Sequence, residues 1–95
     1  MAIIGRIRIE PAQQDDHDRL EAVVESHFER AGGPPDGLLA HFGYPDGGGF
    51  MIVEAWRSED LFRSYVDSLL VPALREAGLE HRGPEVSPAW SIARP

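Results

Sequence analysis

The fold is decided by the stretch from Phe50 to Leu70, which reads FMIVEAWRSEDLFRSYVDSLL. Its first seven residues are apolar on both alternating faces except for Glu54, a pattern typical of a central strand that is covered on both sides. Ser58 and two carboxylates come next, an arrangement that caps a helix and suits the positive end of its dipole. We therefore predict a buried strand that leads through a capped turn into a helix beginning near Glu59.

The predicted helix over residues 59–71 has one apolar face. That face recurs at steps of three and four residues and consists of Leu61, Phe62, Tyr65, Val66, Leu69 and Ala73. Such a face must cover a sheet. Pro72 removes one backbone hydrogen bond, so we expect the helix to kink or end there, with a further turn over residues 73–77.

The remaining elements follow from the same two periodicities. Residues 3–9 alternate, with Ile3, Ile7 and Ile9 on one face and Ile4, Arg6 and Arg8 on the other. Residues 12–30 predict a helix, 37–42 a short strand, and 43–49 a glycine-rich hairpin loop before the central strand. A last strand is predicted near residues 85–93, at a sheet edge because it contains Pro88.

The predicted order is strand, helix, strand, strand, helix, strand. This order is typical of an α+β, ferredoxin-like βαββαβ domain, with both helices on one face of a four-stranded antiparallel sheet. The other face would carry Ile4, Arg6 and Arg8 and would lie uncovered. A second copy of the chain is the simplest cover for it, so we expect a homodimer whose sheets face each other.

Composition narrows the class of protein. The 95 residues predict a single domain spanning 1–95, and the formal net charge of −7 argues against nucleic-acid or anionic-membrane partners. Cysteine and lysine are absent, which leaves thiol, thiolate-metal and lysine Schiff-base chemistry without a side chain. The sequence has no phosphate-loop motif and no metal-ligand spacing, so we expect no cofactor and no metal. It also has no signal-peptide core and no apolar run long enough for a membrane span, so we expect a cytoplasmic protein.

The motifs of the central stretch resemble a known family. The segments Val53-Glu54-Ala55-Trp56-Arg57-Ser58-Glu59-Asp60-x-Phe62 and Leu70-x-Pro72-Ala73-Leu74, together with Gly37-Leu38-Leu39-x-His41, are similar to those of the dimeric α+β barrel superfamily of antibiotic biosynthesis monooxygenase-like domains. The likeness runs from about residue 35 to 78. The superfamily includes cofactor-independent monooxygenases, polyketide cyclases and heme-degrading enzymes, so the resemblance implies a fold more directly than an activity.

The resemblance also bears on individual residues. Arg75 stands where heme-degrading members carry their iron-binding histidine, so the resemblance does not imply heme. Tyr65 matches the position of the catalytic tyrosine in the polyketide cyclase of this fold, whereas Val71 replaces that enzyme's histidine. The resemblance therefore implies a role for Tyr65 but not for a partner at position 71.

Two histidines and one carboxylate are further candidates for chemistry. His27 lies on the apolar stripe of the first helix, where it is either a hydrogen-bonded core histidine or a base that shares a space with Tyr65. His41, on the second strand, is a second candidate base or a structural histidine. Glu54 needs a partner in the interior, and we expect an ion pair with Arg6 or Arg8, with a catalytic carboxylate as the alternative.

Two functions remain open. The first is a cofactor-independent enzyme, a monooxygenase or a cyclase/isomerase, which acts on an aromatic or polyketide-like small molecule in a biosynthetic pathway. The second is a non-catalytic ligand-binding or accessory domain of the same fold. Four side chains are predicted to bind the substrate: Trp56, Phe28, Phe62 and Leu69. They either line a pocket or fill the space between helices and sheet.

Overall fold

The computed structural model describes residues 1–93. Its strands are β1 (Ile3–Ile9), β2 (Leu38–Asp46), β3 (Gly49–Trp56) and β4 (His81–Pro88); its helices are α1 (Gln14–Ala31), α2 (Glu59–Tyr65) and α3 (Val71–Ala77), with a π-helical segment (Val66–Leu70) joining the last two. The strands form one sheet in the order β2-β3-β1-β4, and every neighbouring pair is antiparallel. The predicted ferredoxin-like α+β fold is confirmed.

The two central strands alternate between a helix-covered face and an open face. On β1, Ile3, Ile7 and Ile9 are buried, as is Gly5, whereas Ile4, Arg6 and Arg8 are half-buried, as the alternation predicts. On β3, Phe50 and Ile52 lie opposite Ile9 and Ile7 in register and are buried on the same side. The core therefore lies between this face of the sheet and the helices, on the side predicted from the first strand.

The sharpest packing constraint in this core is at Gly5. The strand register puts Gly5 opposite Glu54, and the ring of Phe62 from α2 lies directly on the glycine backbone. A Cβ atom at position 5 would overlap that ring. Phe62 is fully buried, so it has little room to move aside.

The second helical region passes Pro72 instead of stopping there. Over the π-helical segment the backbone widens, and the Val71 N–H bonds to the Val66 carbonyl, five residues back. This extra residue lets the chain absorb the proline, which has no N–H to donate, while Leu70, Ala73 and Leu74 stay buried. Helical structure ends at Gly78, whose φ of 73° is the left-handed conformation that favours glycine.

Two predicted strand boundaries were wrong. β2 extends to Asp46 rather than residue 42, because its pairing with β3 continues until Asp46 faces Gly49 across a two-residue turn. β4 covers His81–Pro88 rather than residues 85–93, because it pairs along the whole of β1, from Ile9 opposite His81 to Ile3 opposite Pro88. The predicted edge position of this proline-containing strand is confirmed.

Replacing Gly5 with alanine tests the packing of Phe62 on the central strand. We expect Gly5→Ala to lower the free energy of unfolding by about 1–3 kcal/mol, since overpacking a filled core forces side chains from their preferred positions. Urea denaturation measures this change. Gly48→Ala is the matched control: its Cβ would lie 3.6 Å from the nearest neighbour, an ordinary contact, so stability should stay within about 0.5 kcal/mol. Equal stability of both variants and the wild type would contradict the described packing.

Candidate functional site

The candidate site is built around a buried carboxylate on β3. The side chain of Glu54 is 2% exposed and lies on the helix-covered face of the sheet. Its Oε1 accepts a hydrogen bond from the Trp56 indole N–H at 3.0 Å, and its Oε2 lies 2.8 Å from Nδ1 of His41. Because β2 and β3 pair with His41 directly opposite Glu54, the strand register itself sets this contact.

The predicted ion pair between Glu54 and Arg6 or Arg8 was wrong. Both arginines lie on the opposite face of the sheet, since they fall at the alternate positions of β1. Arg6 donates to the hydroxyl of Ser87 at 3.1 Å and lies 3.6 Å from Glu85, its cross-strand neighbour. Arg8 bonds to Asp46 at 2.6 Å. The interior carboxylate therefore needs a cation from another element.

A second carboxylate completes the partners of His41. Nε2 of His41 lies 2.8 Å from Oε1 of Glu21, which projects from α1, so the imidazole is held between two carboxylates. We call Glu21, His41, Glu54 and Trp56 the carboxylate–histidine cluster. It joins α1, β2 and β3 through hydrogen bonds. Its two carboxylates, Glu21 and Glu54, both favour the protonated, positively charged form of the His41 imidazole that lies between them.

These contacts set the charge of the imidazole. The hydrogen bond to Glu21, and then that to Glu54, raise the pKa of His41 from 6.5 to about 10 against the opposing effect of burial. The same bond lowers the pKa of Glu21 from its usual value of 4.5. At neutral pH His41 is therefore an imidazolium with both N–H groups already donated. In that state it is a fixed cation whose two ring N–H groups are both directed at carboxylates.

Tyr65, the last residue of α2, lies beside this cluster. It is 5% exposed, its ring centroid is 5.0 Å from that of Trp56, and Phe28 packs against it at 6.3 Å. Burial raises the pKa of Tyr65, and the nearby charges of Glu54 and Glu21 raise it further. The phenol therefore stays neutral and able to donate a hydrogen bond throughout the physiological range.

The hydroxyl group of Tyr65 makes no hydrogen bond within residues 1–93. Every fully buried side-chain nitrogen or oxygen atom in that range does have a partner, so the Tyr65 oxygen must border open space. An unpaired donor at the edge of a buried aromatic group is well placed to form a hydrogen bond with a small molecule.

The other predicted site residues lie apart from this polar group or fill the core. His27 is half-buried on α1, where its Nδ1 lies 3.2 Å from Nη2 of Arg30, so its side chain bonds within its own helix. Trp56 and Phe62 are fully buried. Phe28 and Leu69 are half-buried and pack against the core. The space between helices and sheet is thus largely filled by side chains that we predicted could line a pocket.

Sequence reasoning missed Glu21. It follows Leu20, a buried residue of α1, and was not among the predicted site residues, although a glutamate beside an apolar stripe has the reach to enter a sheet interface. His17 was not among the predicted site residues either, yet its Nε2 lies 3.4 Å from Oε1 of Glu21. The i, i+4 spacing of His17 and Glu21 was the available signal.

Within residues 1–93, no group of three or more histidine and acidic side chains has an arrangement able to hold a metal ion. Across the same range, none of the helices combines the length and apolar character needed to cross a bilayer.

Solved structures of other proteins share the fold of this chain at low sequence identity. A cofactor-independent oxygenase, SnoaB from Streptomyces nogalater, aligns with a TM-score of 0.58 and 16% identity over 96% of this chain and 93% of its own. A candidate antibiotic biosynthesis monooxygenase from Deinococcus radiodurans aligns with a TM-score of 0.60 and 16% identity over 99% and 97%.

A protein of unknown function from Nitrosomonas europaea gives a TM-score of 0.66 and 18% identity over 99% of this chain and 94% of its own. No family model and no curated protein sequence matches the chain. The resemblance stated from the sequence motifs is therefore confirmed at the level of the fold, since identities this low do not carry function across.

The ionisation of His41 predicts how stability depends on pH. A folded-state pKa above the unfolded value makes the contribution of His41 fully present below pH 6.5, and it is lost as the pH rises towards about 10. The free energy of unfolding from urea titrations should therefore fall between pH 7 and pH 9.5 (roughly the window set by these two pKa values).

His41→Gln should flatten this slope because glutamine does not titrate. It should also destabilise the protein at pH 7 by roughly 3 kcal/mol, because Glu54 loses its charged partner while it stays buried. His81→Gln, on the edge strand β4, is the matched control and should keep the wild-type slope. An unchanged slope in the His41 variant would contradict the assignment of a raised pKa to this residue.

Proposed function

We propose that this chain, as a single domain of residues 1–95, is a cofactor-independent cytoplasmic enzyme that acts on an aromatic or polyketide-like small molecule in a biosynthetic pathway of secondary metabolism. The reaction is a monooxygenation or a cyclisation/isomerisation. The observation that carries the proposal is the free hydroxyl of Tyr65 beside the carboxylate–histidine cluster. Proton transfer on an organic substrate requires a neutral hydrogen-bond donor next to fixed charges, and Tyr65 and the cluster provide these groups.

The chemistry proposed for Tyr65 is hydrogen-bond donation. A phenolic or β-dicarbonyl substrate becomes reactive towards cyclisation or towards molecular oxygen when it loses a proton and negative charge develops on its oxygen. Tyr65 would donate to that oxygen, and its raised pKa keeps its own proton in place. Since His41 is already protonated, the proton would be accepted by a carboxylate of the cluster or by water.

The aromatic side chains around Tyr65 support the proposed substrate class. The ring centroids of Trp56 and Phe28 lie 5.0 and 6.3 Å from that of Tyr65, and Phe28 is the one of the two that is only partly buried, so it is the ring that an aromatic ligand near Tyr65 would contact. Among the structural neighbours, SnoaB is described as a cofactor-independent oxygenase. That description agrees with the proposal without extending to this chain.

Tyr65→Phe tests the proposed donor because it removes only the hydroxyl oxygen. We expect turnover to fall by roughly 10²- to 10⁴-fold, with the protein still folded, since that is the usual contribution of a positioned acid or base. The assay offers anthrone-like, hydroxynaphthalene and β-polyketone compounds and measures oxygen uptake and product mass. Tyr44→Phe, at the chain's other tyrosine, is the control and should keep wild-type turnover.

His27→Gln and His41→Gln complete the series. A loss in the His41 variant with wild-type turnover in the His27 variant agrees with the contacts described above. Wild-type turnover in all three variants would rule out the proposed donor, Tyr65, and any contribution of His41 to the reaction.

We also propose that the enzyme is a homodimer formed through the open face of the sheet. Phe42 and Tyr44 are 55% and 43% exposed on the edge strand β2, opposite Val53 and Met51 in register. Trp90, beyond β4, is 96% exposed. Surfaces with several exposed large apolar side chains are typical of interfaces, and a two-fold related copy covers this face symmetrically.

The charges on the open face are compatible with burial in that dimer. Arg8 is bonded to Asp46, and Arg6 is bonded to Ser87 with Glu85 nearby, so each arginine brings its own partners into the interface. Pairing within one chain lowers the cost of removing the charges from water. The open face therefore offers a second copy exposed apolar side chains on β2 and charges on β1 that are already compensated.

Light scattering at micromolar concentration tests the dimer. The expected mass is close to twice 10.5 kDa. Phe42→Asp should shift the mass towards the monomer because it sets two like charges on the apolar face. Ala22→Asp, at an exposed position of α1, adds the same charge elsewhere and should leave the dimer intact. A wild-type monomer, or a dimer insensitive to Phe42→Asp, would contradict the proposed interface.

The second candidate function is a non-catalytic ligand-binding or accessory domain. The observation that favours it is the filled space between helices and sheet, where Trp56, Phe62 and Tyr65 are all buried. Binding of the compounds named above without any turnover by the wild-type protein would support this alternative and remove the enzymatic proposal.

A further inference from the structure

A cavity lies between the start of α1 and the hairpin of β2 and β3. Its volume is about 490 Å³, within the range of small-molecule sites, and its lining includes His17, Asp18 and Phe50. Trp56, Phe62 and Tyr65 are not part of the lining. Both the position and the residues therefore separate it from the site proposed above.

His17 is fixed in this cavity by three neighbours. Its Nδ1 lies 3.1 Å from a carboxylate oxygen of Asp18, and its ring packs edge-on against Phe50 with centroids 5.0 Å apart. Its Nε2 has only the long 3.4 Å approach to Glu21, whose Oε1 already lies 2.8 Å from His41. Nε2 of His17 is therefore the ring atom with hydrogen-bonding capacity left for a ligand.

Glycines form much of the opposing wall, which includes Gly43, Gly47 and Gly49. A Cβ atom at Gly43 would lie 3.1 Å from Nε2 of His17, closer than ordinary packing allows, so a side chain at this position would cover that nitrogen. Backbone without side chains lets a flat molecule approach closely. Because position 43 is glycine, Nε2 of His17 stays accessible to a ligand in the cavity.

The charges around His17 select the ligand further. Asp18 and Glu21 flank the imidazole, and the chain carries a formal net charge of −7, so an anionic ligand would be repelled. A neutral ring compound would be accepted, and a hydroxyl group on it could bond to Nε2 of His17. We propose that this cavity is a second binding site, for a small, neutral, planar ring compound that bears a hydroxyl group.

The site is also connected to the carboxylate–histidine cluster. Glu21 touches His17 on one side and His41 on the other, so a ligand that bonds to His17 changes the surroundings of the carboxylate that helps to hold His41 charged. Occupation of the cavity should therefore alter the signals of His41 as well as those of His17, although the ligand does not reach His41.

Titration with 2-naphthol, followed by two-dimensional NMR of the ¹⁵N-labelled full chain, tests this site. We expect saturable shifts centred on His17, Gly43 and Gly49, with a smaller shift of the His41 ring. His17→Phe keeps a flat ring against Phe50 but removes both nitrogens, so naphthol affinity should fall about tenfold, the value of one lost hydrogen bond. His81→Phe, on β4, is the matched control and should bind as the wild type does.

Two further arms keep the test decisive. 2-Methylnaphthalene has the same shape without the hydroxyl group and should bind the wild type and the His17 variant equally. Gly43→Ala places a methyl group against Nε2 of His17 and should therefore weaken naphthol binding. This variant keeps the proposal testable if His17→Phe does not fold.

Unsaturable shifts, or equal naphthol affinity in the folded variants and the wild type, would overturn the proposed second site. Shifts confined to Phe28 and Tyr65 would also overturn it, while they would support the separate site proposed for catalysis. Conversely, an inactive protein that binds naphthol at His17 would remove the catalytic proposal and leave this site standing.

Discussion

The ion pair between His41 and the buried Glu54 is the interaction on which the arrangement of this molecule depends. A carboxylate that is 2% exposed would be strongly unfavourable in the interior without a charged partner. His41 supplies that partner from β2, and Glu21 supplies the second acceptor from α1. The three residues therefore fix the first helix, the edge strand and the central strand in one relative position, and a shift of register by one residue would separate them.

The aromatic core is organised around the same carboxylate. Trp56 donates its indole N–H to Glu54, which turns the ring towards Phe62 and Tyr65. Phe62 in turn reaches the backbone of β1 only because position 5 is glycine. The π-helical segment then keeps the chain helical past Pro72, so that Leu70 and Leu74 stay on the buried side. Polar and apolar packing are thus coupled, and the free hydroxyl of Tyr65 lies where they meet.

The fold could be predicted because its signals are local. Alternation along β1, the buried run of β3 and the capped start of α2 each specify an element without knowledge of its neighbours. The ends of β2 and β4 could not be predicted, because they depend on how far the partner strand extends, and the glycines and prolines in these segments resemble loop composition. Pro72 was expected to kink or end a helix, since sequence rules do not reveal a π-helical insertion.

The candidate site was less accessible from sequence. Tyr65 and His41 were predicted as functional candidates, and the structure brings them to one region with Glu54, whereas His27 bonds within its own helix. The partner of Glu54 was predicted on the wrong face, because two nearby arginines are a more obvious choice than a histidine whose register is unknown. Glu21 was missed because its contact with His41 depends on the packing of a helix on a strand, which the i, i+4 spacing of Glu21 with His17 does not reveal.

The most direct test of this account is an NMR titration of the histidine ring nitrogens in ¹⁵N-labelled protein from pH 5 to pH 10 (roughly the window bounded by the two pKa values of His41). We expect His41, whose signals are assigned through their loss in His41→Gln, to keep both ring protons at pH 8 and to begin to lose one only towards pH 10. A midpoint for His41 near 6.5, the value of an unperturbed histidine, would contradict it, because the imidazole would then be neutral beside Glu54 and the interior carboxylate would lack its charged partner.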